Sequence, residues 1–213
     1  MPFQFEKSSC IVVGTFNMYI LHPKWLLQHG IIEDGTEVLI ETNFTQPGFR
    51  FSFPQKKGSW LISPSRIAVE SADALADCGA FVAKVLAALP ETPLLAIGNN
   101  LSFTAPAAEL SELATEVREF PRRKVPNEGE TLQQRTFHVG VKRDEHRVAN
   151  LQLAVTPEQL ELSCNCHTKL ENRNDANRAA VATAEEFLND LKYLQSLSLH
   201  FFGTRFSDDH NSV

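Results

Sequence analysis

Apolar positions recur at alternating spacings of three and four through Leu75, Cys78, Val82, Leu86 and Leu89, a pattern that stacks them on one face of an α-helix. The spacing predicts a helix over residues 72–89. Pro90 and Pro93 stop it, because proline lacks an amide donor and clashes with the preceding turn. Leu94 to Ile97 then reads as a buried strand that ends in Gly98-Asn99-Asn100. A helix with a single apolar stripe needs a sheet to cover, and the rest of the chain offers strands for it.

Ahead of this unit, Cys10 to Leu21 is apolar at almost every position, as expected of a strand covered on both faces. His22-Pro23 opens a short helix closed by Gly30, with Trp25, Leu26 and Leu27 as its packing residues. Strands follow at Glu37 to Asn43, Phe49 to Phe53, Trp60 to Ser63 and Arg66 to Glu70, with Ser63-Pro64-Ser65 making the last pair a tight hairpin. Phe49, Phe51 and Phe53 alternate with Arg50 and Ser52, so the three rings share one face.

After the unit, a third helix is expected from about Pro106 to Phe120, with Leu110, Leu113, Val117 and Phe120 on its apolar face. A polar linker occupies 121–131. Strands at Arg135 to Arg143, Arg147 to Val155 and Gln159 to Cys166 lead to a helix from about Ala176 to Leu194. Its inner face is Ala180, Ala184, Phe187, Leu191 and Leu194. A final strand, Leu197 to Phe206, precedes a polar tail.

The two halves present the same order of parts. Leu61 to Ser71 matches Leu153 to Ser163 as strand, proline turn and alternating strand; a long helix follows in each, and Leu94 to Phe103 matches Leu197 to Phe206. The expected fold is α+β: internally duplicated antiparallel meander-plus-helix units, joined in one sheet with the helices on one face. A three-stranded meander alone has too little core to be secure, which favours joining them. The halves span residues 1–120 and 132–206 of one compact domain, and 207–213 form a frayed tail.

Composition changes this picture little. With 213 residues, 43% hydrophobic and 22% charged, the chain matches an ordinary globular protein with core enough to need no disulfides or metals. Four cysteines are too sparse for a disulfide scaffold and are expected as reduced thiols. The N-terminus lacks the pattern of a secretory signal and no apolar run approaches a membrane span, so a cytoplasmic protein with no membrane partner is expected. A net charge of -6 disfavours nucleic acid as a partner. One basic group, Arg118 with Arg122, Arg123 and Lys124, sits among glutamates and reads as a solvated loop.

Candidate chemistry is sparse. Cys164-Asn165-Cys166-His167 carries zinc-ligand types, but the cysteines continue the apolar strand face of Leu160 and Leu162, and His167 points the other way. Core packing is the reading, and no metal or cofactor is expected. Asn99 and Asn100 either build a turn or present two amides at a strand end. If the halves are related by a pseudo-two-fold axis, His200 and Arg205 from the second half converge with them into a ligand pocket. Neither a Gly-x-Ser-x-Gly elbow nor a phosphate-binding Gly-rich loop is present, and no histidine has an evident carboxylate partner. No catalytic residue is assigned, and whether the protein is an enzyme stays open.

Fifteen Phe against two Tyr and two Trp supply aromatic area without polar tips. An uncovered sheet face bearing Phe49, Phe51 and Phe53 would serve as an interface. The leading expectation is therefore a non-enzymatic protein–protein interaction module. It would bind a protein partner or a second copy of itself through a Phe-rich sheet face or a sheet edge. The alternative is a small-ligand-binding protein or enzyme with Asn99, Asn100, His200 and Arg205 lining the axis pocket.

Overall fold

Segments with period-two patterning pair edge to edge into one sheet. The computed structural model describes residues 3–42, 47–54, 57–108, 113, 134–204 and 206. Its strands are β1 (Gln4–Gly14), β2 (Leu39–Thr42), β3 (Phe49–Phe53), β4 (Gly58–Ser63), β5 (Arg66–Ser71), β6 (Leu94–Pro106), β7 (Arg135–Lys142), β8 (Arg147–Val155) and β9 (Gln159–Lys169). The helices are α1 (Pro23–Gln28), α2 (Cys78–Ala88), α3 (Ala176–Glu185) and α4 (Phe187–Phe202). All nine strands join in the order β2-β3-β4-β5-β1-β6-β9-β8-β7, and every pairing is antiparallel. The class is α+β, as expected.

The pleat sorts the sheet into two faces. Cys10 and Val12 on β1, Ile97, Leu101 and Phe103 on β6, Leu162, Cys164 and Cys166 on β9, and Leu151 and Leu153 on β8 are buried on the side of the helices. Their neighbours on the other side are mostly polar: Asn100, Ser102 and Asn165 are half-buried, and Gln152, Glu161 and Ser163 are exposed, with half-buried Ile11 and buried Ala154 among them. One dry face and one wet face is the usual economy of an antiparallel sheet. The Cβ of a residue at position 98 would lie 2.7 Å from Asn165 Nδ2. Glycine there makes room for the Asn165 amide to donate to Asn100 Oδ1 at 2.6 Å.

Helix α2 begins where Asp77 accepts the Ala80 N–H at 2.9 Å. Its stripe of Cys78, Val82 and Leu86 is buried, as the spacing predicts. Ala180, Ala184, Phe187, Leu191 and Leu194 are all fully buried, so the predicted inner face is real although the backbone breaks at Glu186 into α3 and α4. Before α3, Arg173 holds the Asp175 carboxylate at 2.9 and 3.0 Å, which draws its pKa down to about 2 and leaves the helix without a side-chain cap.

Four expectations change. The helix over 72–89 starts only at Cys78, and Leu75 lies in the preceding turn at 62% exposure. The strand over 10–21 is β1, starting at Gln4 and ending at Gly14. There Thr15 N–H and Phe16 N–H turn to the carbonyls of Pro93 and Pro64, and Phe16, Met18 and Leu21 are buried from coil and turn instead. Gly98-Asn99-Asn100 is no turn but the middle of β6, which continues through Pro106. The final strand, Leu197 to Phe206, is largely helix: Leu194, Ser198 and Phe202 are buried at helical spacing, and Gly203 with φ 66 caps α4. The second half then has no counterpart of β6, and the internal duplication is not confirmed. Of the third helix, Pro106 belongs to β6 and Leu113 is buried; Leu110, Val117, Phe120, the linker and the basic group lie outside the described residues.

Gly79 is the tightest point between helices, because a Cβ there would collide with the Ala184 carbonyl and the Phe187 Cβ. Gly79→Ala is expected to destabilise the fold by about 1–3 kcal/mol, as overpacking of a filled interface does. Urea denaturation with an unchanged m-value would measure it; a cost below about 0.5 kcal/mol would mean that the helices part freely.

Candidate functional site

The connection from β5 to α2 folds as a chain of side-chain-to-backbone bonds. Ser71 Oγ accepts the Asp73 N–H at 3.0 Å, Asp73 Oδ1 accepts the Leu75 N–H at 3.0 Å, and Asp77 caps α2. Such local bonds are what Ser and Asp offer in turns. The result sets both carboxylates beside a cavity of about 340 Å³ between α2 and strands β3 to β5. Phe53, Trp60, Phe81, Ile32 and Val69 contribute apolar lining. The Trp60 ring centroid lies 4.9 Å from that of Phe53 and 5.4 Å from that of Phe81. Sequence reading missed this site. Asp73 precedes the helix and Asp77 opens it.

A second polar group lies under α4. Asp190, only 1% exposed, receives Arg143 Nη1 at 2.5 Å, Arg147 Nη2 at 2.8 and 2.9 Å, and Asn99 Nδ2 at 2.8 Å. Asn99 Nδ2 also donates to the Thr183 carbonyl at 3.0 Å, and the Arg143 guanidinium lies 4.3 Å from the Tyr193 ring centroid. One signal for this group was present: Asp190 stands three positions after Phe187 and four before Leu194, inside an otherwise apolar stripe.

Of the residues expected to meet at an axis, Asn99, Asn100 and His200 face different surroundings. Asn99 faces the helices and is fully buried, while Asn100 faces the other way and donates to the Ser9 carbonyl at 3.2 Å. His200 is exposed on α4, and Arg205 lies outside the described residues. Phe51 and Phe53 are 1% and 4% exposed, and Phe49 is half-buried, stacked on Phe51 at 6.3 Å. These rings are core, because β3 presents them to the side covered by α2 and the chain around Ile32.

Cys164 and Cys166 are buried on the helix side of β9, and Cys10 and Cys78 are buried as well. Among the described residues no three His, Cys, Asp or Glu side chains are arranged to hold a metal ion. Burial pushes the Cys78 and Cys164 thiols up to about 12 and Cys166 to about 11, and raises Cys10 as well.

Two outcomes are expected. Asp190→Ala strands two guanidinium groups and an amide, and is expected to cost about 3 kcal/mol in urea denaturation; a loss under 1 kcal/mol would show that the arginines simply turn to solvent. Thiols that ionise at 9.0 when unfolded but near 11 to 12 when folded make the unfolded chain the one that loses protons first. The thiols' contribution to stability is therefore fully present below pH 9 and falls as pH rises towards 12. In the native protein at pH 8 the thiols should resist a disulfide reagent, and all four should react once unfolded; rapid native reaction of any thiol would contradict the burial.

Neither protein-family models nor curated proteins give a match to this chain.

Proposed function

We propose that the protein is a non-enzymatic interaction module that self-associates by pairing β2 with the β2 of a second copy. The supporting observation is the contrast between the two edges of the sheet. Strand β7 carries Arg135 and Lys142 at its ends and exposed Thr136 and His138 along it, charges and polar groups of the kind that discourage edge pairing. Strand β2 is exposed at all four positions, pairs among the described residues only with β3, and leaves Leu39 and Ile40 at 49% and 53% exposure.

Antiparallel pairing of a strand with its own copy generates a two-fold axis, the commonest symmetry of soluble oligomers. A register that sets Ile40 opposite Ile40 places Glu41 opposite Leu39, so like charges do not meet. The burial of Phe51 and Phe53 moves the interaction from the sheet face to this edge. One short strand buries far less than the roughly 1,200–2,000 Å² of a standard interface, so the dimer is weak and concentration-dependent.

Light scattering over a concentration series tests the reading. The mean mass should climb from monomer towards dimer, and Ile40→Lys should hold the chain monomeric with its unfolding midpoint unchanged. A mass that stays monomeric at the highest soluble concentration, or a dimer indifferent to Ile40→Lys, overturns it.

A further inference from the structure

We propose that the cavity between α2 and β3 to β5 is a binding site for a small organic cation with an aromatic or aliphatic body. This stands independently of the β2 edge. The volume of about 340 Å³ lies at the small end of ligand pockets, which run from about 300 to 1,000 Å³. It suits a single-ring amine and is too small for a dinucleotide. Phe53, Trp60 and Phe81 together give the cavity three neighbouring aromatic rings, whose electron-rich faces attract cations, tryptophan most strongly.

The carboxylates fix the sign of charge. Asp73 and Asp77 each spend Oδ1 on a backbone N–H, which leaves Oδ2 of each for a ligand. Neither forms a salt bridge among the described residues. Glu70, the third acid of the lining, differs in being held by Lys7 at 3.8 Å and Arg50 at 3.9 Å. An anion here would meet two carboxylates without a counter-charge, and a neutral apolar molecule would leave them unused. An ammonium group on a ring or short chain satisfies both halves of the site, with its body against Trp60 and Phe81 and its charge beside Asp73 and Asp77.

The test uses the full chain with Trp25→Phe, so that Trp60 is the remaining tryptophan, and two probes of equal size, 2-phenylethylammonium and 2-phenylethanol. Titration should give saturable change in Trp60 emission with the ammonium and affinity about tenfold weaker, or none, for the alcohol. Asp73→Asn with Asp77→Asn keeps the helix cap, since asparagine caps as well as aspartate, and should erase the preference without changing the alcohol. Ala76→Phe, which fills the cavity from its lining, should abolish calorimetric binding of the ammonium while the protein still unfolds cooperatively. Equal affinity for the two probes, no saturation by the ammonium, or a preference that survives the double substitution overturns the assignment.

Discussion

One carboxylate fastens the helical layer to the sheet. Asp190 of α4 takes hydrogen bonds from Asn99 on β6, Arg147 on β8 and Arg143 just beyond β7, so a single side chain contacts both sides of the C-terminal strands. Burying such a charge is tolerable because its donors are mostly cationic and their own outer portions stay hydrated, with side-chain exposures of 27% and 22%. Apolar contacts from Phe187, Leu191 and Leu194 hold α4 down without direction. The directional bonds to Asp190 set its rotation, and through the close packing of α3 on Gly79 they set the position of α2 and the aromatic cavity beneath it.

Much of this architecture was legible from period and punctuation. The β4–β5 hairpin followed from its proline turn, and the buried stripe of α3 and α4 from spacings of three and four. The failures have physical causes. Leu197 to Phe202 is a short apolar run, which periodicity alone cannot divide between strand and helix, and Gly203 serves equally as a strand glycine or a left-handed helix stop. Asn99 and Asn100 suit a turn by local preference, but in the fold their amides find acceptors in Thr183, Asp190 and the Ser9 carbonyl. Tertiary partners overrode the local preference. The aromatic cavity was hidden for a similar reason: its rings come from β3, β4 and α2, and nothing in a single sequence says which Phe will meet Trp60.

The two faces of the sheet divide the chemistry. On the covered side polar side chains are few: the Asn99 amide bonds to Asp190 and Ser8 lies 3.9 Å from the Cys78 sulfur, while Asn99 Oδ1 and Thr168 Oγ1 are buried without a hydrogen-bond partner among the described residues. On the open side, Ser9, Asn100, Asn165 and Asn150 fall in register across β1, β6, β9 and β8, a buried hydroxyl followed by three half-buried amides. An apolar strand face turned this way would invite aggregation. The row keeps the middle of the sheet polar, and the well-exposed aliphatic side chains of the described strands are Leu39 and Ile40 on the β2 edge and Leu95 near the start of β6.

The central place of β1 bears on how the chain is made. It is synthesised before the other eight strands of the sheet, yet its neighbours are β5 and β6, and the Asn100 amide reaches the Ser9 carbonyl across 91 residues. Translation at about 5–20 residues per second puts roughly 5–20 s between the two ends of that bond. Throughout that interval Cys10 to Val13 have no strand on the β6 side. Sheets built on such distant pairings close slowly, because the loop entropy is spent before the contacts repay it. The local β4–β5 hairpin is the first ready template, and β5 is the strand that later receives β1. Nascent chains halted before β6 would hold that apolar segment against one neighbour at most, which makes the interval before Leu94 to Pro106 emerges the point at which a ribosome-associated chaperone has most to shield.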